Sequence, residues 1–271
     1  KKRTMHYMLP FASWFIIVNV FIRGFYERNI IQAMCVLVNN IDVGLWFLYV
    51  VFILSLVIIV AKRICYKAKR IQNAGIASII IGGVMLLPLV FIGKILGMRF
   101  MGINLILYYY VFFALGHTLF LYKEKIKLIS NNNVRLMCGF GLSLIIFTLI
   151  ILTHNIELSP DSIINVAIRI LAAITGSLVI SIAVYKLSKG KKSLLAKIGQ
   201  FTLEIYVVHV CYIGVLPKGE YYFYTFDGVI FFLLAFLITM ALTTFTIFFI
   251  TKIPILNIIF FGKKPIQSDH Q

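Results

Sequence analysis

Long apolar runs alternate along this chain with short polar and basic segments. About 20 consecutive apolar residues cross a bilayer as an α-helix. Eight runs are candidates: 7–22, 43–61, 75–93, 101–122, 136–153, 162–185, 194–216 and 228–251. The first is the weakest, being short, containing Pro10 and ending against Arg23. Runs 43–61, 75–93 and 228–251 carry no charge at all. The pattern predicts an all-α, polytopic transmembrane bundle of about eight spans, forming a single integral membrane domain over residues 1–271. The connections leave no room for a soluble domain. The longest outer one, 23–42, includes the apolar stretch "IIQAMCVLV" and is expected along the interface or dipping inward, whereas "SNNNV" at 130–134 reads as a polar turn. No internal repeat is visible, which disfavours an inverted-repeat transporter.

Composition agrees with the pattern. Of 271 residues, 61% are hydrophobic and 13% charged, against about half and a quarter in soluble domains. The net charge of +17 raises nucleic acid as a partner, but the basic residues sit in clusters between apolar runs, so no nucleic-acid binding is expected. Nineteen Lys and Arg fall on one side of the predicted membrane and five on the other, with Arg169 and Lys197 inside spans. The positive-inside rule then puts both termini in the cytoplasm and makes the lipid bilayer of a cell membrane the first partner. Glu27, Asp42, Glu157, Asp161, Glu220 and Asp227 all lie on the outer side. Cys35, Cys65, Cys138 and Cys211 form no CxxC or Cys/His cluster, so neither a metal site nor a disulfide framework is expected.

Ionisable residues at membrane depth cost a few kcal/mol and by default face protein or water with a partner. Four stand out: His117, Arg169, Glu204 and His209. In "KIGQFTLEIYVVHV" (197–210), Glu204 lies seven residues after Lys197, on one helical face about 10 Å away. One reading pairs Glu204, near mid-membrane, with a basic group on another helix, Arg169 among them, and lets Lys197 snorkel to the inner interface. The opposite stripe holds Thr202, Tyr206 and His209, a better candidate for the lining of a polar cavity than a lone histidine. Arg169 and His209 each sit about seven residues inside the outer end of their spans, about 10 Å deep, which allows both to line one outward-opening cavity. Trp46 fits an interfacial aromatic belt. His117 follows "YYYVFFALG" on the inner half, where packing is the ordinary role and contact with a cytosolic donor the functional one.

The stretch "KIGQFTLEIYVVHV" also resembles a late helix of the membrane acyltransferase family three, at Gly199, Thr202, Leu203, Ile205, Tyr206 and His209. "LWFLYVVF" is similar to the family's Trp-Phe-Leu helix opening (Trp46, Phe47, Leu48), and "YYYVFFALGHTL" to its aromatic helix with Phe-x-x-Gly (Phe113, Gly116). "KKRTMHYMLPFASW" resembles the basic loop and Leu-Pro that open the family's third span. Members usually have about ten spans, the first two carrying a basic residue followed eleven positions later by histidine. None of His6, His117, His154, His209 or His270 has such a partner here. The resemblance therefore implies a C-terminal portion of such a domain, inactive on its own, whose base lies outside the chain.

By the same resemblance, the reaction is transfer of an acetyl or similar acyl group from acetyl-CoA or another acyl-CoA to a hydroxyl of a cell-surface glycan or lipid-linked sugar. No bound cofactor is implied. Arg169 would stabilise charge or bind the acceptor, and His209 would support catalysis. Trp46, Thr202, Glu204, Tyr206 and His117 would contact substrate. A transporter or flippase-like protein for glycan intermediates fits a polar cavity equally well, and a sensory membrane domain is a third class.

Overall fold

The computed structural model describes residues 4–17, 35, 38–39, 45–67, 74–153, 163–188, 198–213 and 225–263. Every regular element among them is helical. Hydrocarbon holds no water, so an isolated segment satisfies its backbone there only by bonding to itself. A π-helical turn, Thr4–Met8, leads into α1 (Leu9–Ile17). Then come α2 (Trp46–Lys67), α3 (Ala74–Leu96), α4 (Ile103–Leu121), α5 (Lys123–Asn131) and α6 (Asn133–Thr153). The chain continues with α7 (Ile163–Ser188), α8 (Thr202–Ile213), α9 (Phe226–Lys252) and α10 (Pro254–Phe261).

Six helices are long and apolar enough to cross a membrane: Trp46–Lys67, Gly75–Leu96, Phe100–Leu121, Asn133–Thr153, Ile164–Leu187 and Phe226–Lys252. The other two expected spans appear as shorter apolar helices, Met5–Ile17 and Thr202–Ile213, and residues 18 and 214 lie outside the described set. Most of the connection 23–42, and Lys197, also lie outside it. Ile95 is 81% exposed, Leu152 77% and Phe226 80%. Large apolar side chains facing outward in such numbers match lipid and would be a liability in water.

One expectation needs correction. The polar turn at 130–134 is a single residue: Ser130 and Asn131 end α5, and Asn132 opens α6. The Asn132 Oδ1 accepts from the backbone N–H of Val134 at 3.1 Å and of Arg135 at 3.2 Å. Two unpaired N–H groups at the start of α6 are thereby satisfied, so the asparagines cap a helix and leave no loop.

The chain forms two compact units, Lys1–Thr118 with Gln200–Gln271, and Leu119–Gly199. In the second, α6 and α7 pack as a hairpin. Gly176 permits the close approach, since a Cβ there would stand 2.9 Å from the Phe147 ring. Lys186 Nζ donates to Asn133 Oδ1 at 2.8 Å, joining the end of α7 to the start of α6.

The first unit holds the main core, in which Phe11, Trp14, Leu48, Leu54, Val207, Val208, Ile250 and Phe261 come together. Against α3, the Tyr110 hydroxyl of α4 donates to Ile79 O. The two ends of the described chain meet in this unit. The last carbonyls of a helix have no partner within it. At the end of α10, Trp14 Nε1 donates to Phe260 O at 2.9 Å, and Ser13 Oγ lies 2.9 Å from Ile259 O. Gly262 turns left-handed (φ 63). Its N–H bonds to Ile258 O at 2.9 Å, the single bond of the αL capping motif, and the N–H of Lys263 reaches Asn257 O at 3.4 Å.

Trp14→Phe keeps an aromatic ring against Phe260 and Phe261 but removes the donor to Phe260 O. The expected cost is about 1–3 kcal/mol, seen as a lower thermal midpoint of the protein in nanodiscs. An unchanged midpoint would show that this bond contributes nothing to the closure.

Candidate functional site

The helix α8 is short, and its two faces differ sharply. Glu204, Val207, Val208 and Cys211 are buried, whereas Thr202 is exposed and Tyr206 and His209 are half-buried. That is the division helical spacing predicts, with an apolar stripe turned to the core.

On the buried face, Glu204 has no exposure and its Oε1 forms an ion pair with Lys263 Nζ. Lys263 also donates to Gln200 O at 3.3 Å, and its ammonium stands 5.6 Å from the centre of the Phe201 ring. Its side chain is 33% exposed, so the ammonium reaches in while its stem stays near the surface. One expectation changes here. The partner of Glu204 is Lys263, which composition had counted only as a topology signal. Helix breaks at Gln200–Phe201 and restarts at Thr202, so the carboxylate sits in the first turn of α8. The unpaired N–H groups there favour a negative charge.

On the open face, the His209 ring nitrogen Nδ1 lies 2.8 Å from Ile205 O. A carbonyl only accepts, so Nδ1 carries a proton, and in the neutral ring Nε2 then holds the lone pair for another donor. The Tyr206 ring is 5.9 Å from that of His209, and Phe47 of α2 meets Tyr206 at 5.4 Å in a T-shaped contact. Trp46 adjoins Phe47 and lies 4.7 Å from Tyr109 of α4, which in turn touches Tyr108 and Phe112. A continuous aromatic run thus extends from α8 across α2 to α4 and ends at an imidazole. Phe47 is 41% exposed, which leaves part of the run open. Near the end of α8, the Tyr212 hydroxyl and Thr246 Oγ1 are 2.5 Å apart and tie α8 to α9.

The structure brings together Trp46, Tyr206 and His209. Thr202 shares their stripe, about 10 Å from His209 along the helix. Glu204 faces the other way. His117 lies eight residues beyond Tyr109 on α4, about 12 Å along the axis, and its buried Nε2 has no hydrogen-bond partner among the described residues. Arg169 stands half-buried on α7 in the second unit. Sequence reasoning passed over Tyr109 and Lys263. A run of three tyrosines signalled an aromatic face without saying which ring meets Trp46, and no local signal marks Lys263. Among the described residues, no group of three or more His, Cys, Asp or Glu is placed to hold a metal ion.

Aromatic faces beside a nitrogen lone pair suit a ligand with a flat apolar face and hydroxyl groups. The rings stack and the imidazole accepts a hydroxyl hydrogen bond. A family model described as an acyltransferase domain matches residues 1–252 of the chain. No curated protein and no solved structure matches it.

Proposed function

The chain belongs to the membrane acyltransferase family three, a multi-pass helical family, and from that premise we propose that it moves an acetyl or similar acyl group from acyl-CoA to a hydroxyl of a cell-surface glycan or lipid-linked sugar. The observation that carries the acceptor half of this reading is the aromatic run Tyr109–Trp46–Phe47–Tyr206 ending at His209 Nε2. Sugar rings present C–H faces that stack on aromatic side chains, with hydroxyls at the rim. His209 accepts a hydrogen bond from the acceptor hydroxyl as a supporting residue. The hydroxyl oxygen attacks the thioester carbonyl, the C–S bond breaks, and the CoA thiol leaves with the proton. This requires a proton acceptor, donors for the tetrahedral oxyanion and exclusion of water.

For Arg169 the family resemblance suggests charge stabilisation or acceptor binding. Glu204 is assigned a positioning role, because its carboxylate is buried and already ion-paired. His117 is the candidate on the donor side: its Nε2 is unpartnered among the described residues, and Lys62 of α2 adds positive charge near it.

The test is incubation of the protein in membranes with labelled acetyl-CoA and candidate sugars. Label transfer to a sugar hydroxyl supports the proposal. No transfer, with transport of the same glycan intact, would overturn it in favour of a transporter. Trp46→Ala should raise KM for the acceptor about three- to tenfold, the loss of about 0.5–1.5 kcal/mol of ring contact, with kcat nearly unchanged.

A further inference from the structure

The helix that carries Tyr206 and His209 is held at its first turn by a residue beyond the stretch the family model matches. That stretch ends at residue 252, and α10 and Lys263 follow it. Lys263 is delivered to one place by several independent contacts. The left-handed turn at Gly262 aims the chain back over α10. The turn packs directly on the backbone of Met5 and His6, with His6 Nδ1 3.4 Å from Gly262 O. Trp14 and Ser13 bond to the carbonyls just before it. From this fixed point the ammonium reaches Glu204 and Gln200 O, on either side of the break that starts α8. Glu204 adjoins Ile205, whose carbonyl sets the tautomer of His209. A shift of Glu204 therefore passes directly to the imidazole.

We infer that Lys263 is a positioning residue for acyl transfer, and that residues 253–263 form a clasp setting the rotation and height of the helix that carries His209. This rests on the acyl-transfer reading above.

Lys263→Met in the protein reconstituted in membranes should lower kcat about ten- to a hundredfold, the cost of a small displacement near reacting atoms, with acceptor KM changed less than about threefold. Lys263→Arg should recover most of the kcat. Because Lys263→Met strands a buried charge, the decisive variant is Glu204→Gln with Lys263→Met, which removes both charges and keeps the volume. It should fold, show the same low kcat, and exchange the amides of 205–209 faster with deuterated solvent. Wild-type kcat with unchanged exchange in that double variant overturns the inference. If the unaltered protein transfers no label, the acyl-transfer reading fails on its own. Amide exchange in the double variant then still decides whether the clasp holds α8: faster exchange upholds it and unchanged exchange overturns it.

Discussion

Substituting glutamine for His209 is expected to lower kcat for acyl transfer about ten- to a hundredfold, the loss of a hydrogen bond made to the reacting hydroxyl. The half-buried ring donates Nδ1–H to Ile205 O, which in the neutral tautomer leaves the acceptor lone pair on Nε2. Glutamine occupies a similar volume but is not held by a ring bond to Ile205 O, so it does not keep an acceptor where Nε2 stands. The loss should therefore appear in kcat, with acceptor KM changing little, because the rings of Tyr206, Phe47 and Trp46 are untouched. The thermal midpoint should stay near that of the unaltered protein, since the buried face of α8 is formed by Glu204, Val207, Val208 and Cys211. A kcat within about threefold of the unaltered value would remove His209 from the chemistry.

The largest stability effect is expected at Gly262. A Cβ there would sit 2.2 Å from Met5 O and 2.9 Å from His6 Cα, both backbone atoms that cannot swing aside. Its φ of 63 is also a conformation that L-residues adopt at a cost of about 1–2 kcal/mol. Strain and clash together put Gly262→Ala above about 3 kcal/mol, a drop of about 10 °C in thermal midpoint. Gly97 separates the two causes. Its φ is 94, but nothing lies within 4 Å of an added Cβ, so Gly97→Ala carries the strain without the clash. It should cost about a third as much. Equal shifts for the two variants would mean that the close approach of the chain ends is not what Gly262 serves.

Several features were legible before any coordinates. The spans were readable because hydrocarbon leaves an isolated segment only the helix, and helices of 21 to 27 residues replace six of the eight predicted runs. The two faces of α8 were readable because residues three and four apart share a side. Thr202, Tyr206 and His209 accordingly separate from Glu204, as their spacing requires. Family membership was readable as short motifs in order along nearly the whole chain, and the family match over residues 1–252 agrees with it.

The misses share one cause. Lys263 is 59 residues from Glu204, in a segment whose lysines also satisfy the positive-inside pattern, so its charge had a sufficient explanation without a partner. Arg169, a cation inside a predicted span, attracted the pairing instead. Tyr109 meets Trp46 across 63 residues, and neither neighbour in "YYYV" distinguishes it. The helix α10 is only eight residues long, too short to read as a span.

By itself, then, the sequence determined what each segment must be: which runs are helices, which side of each helix is polar, and to which family they belong. Those properties follow from local hydrogen bonding and from a period of about 3.6 residues. Only the tertiary structure decided which helix neighbours which. It gave Glu204 its cation, Trp46 its tyrosine, and the last carbonyls of α10 their donors on α1. Ion pairs and ring contacts act over a few ångströms of space, and periodicity along a chain carries no record of which distant residue occupies that space.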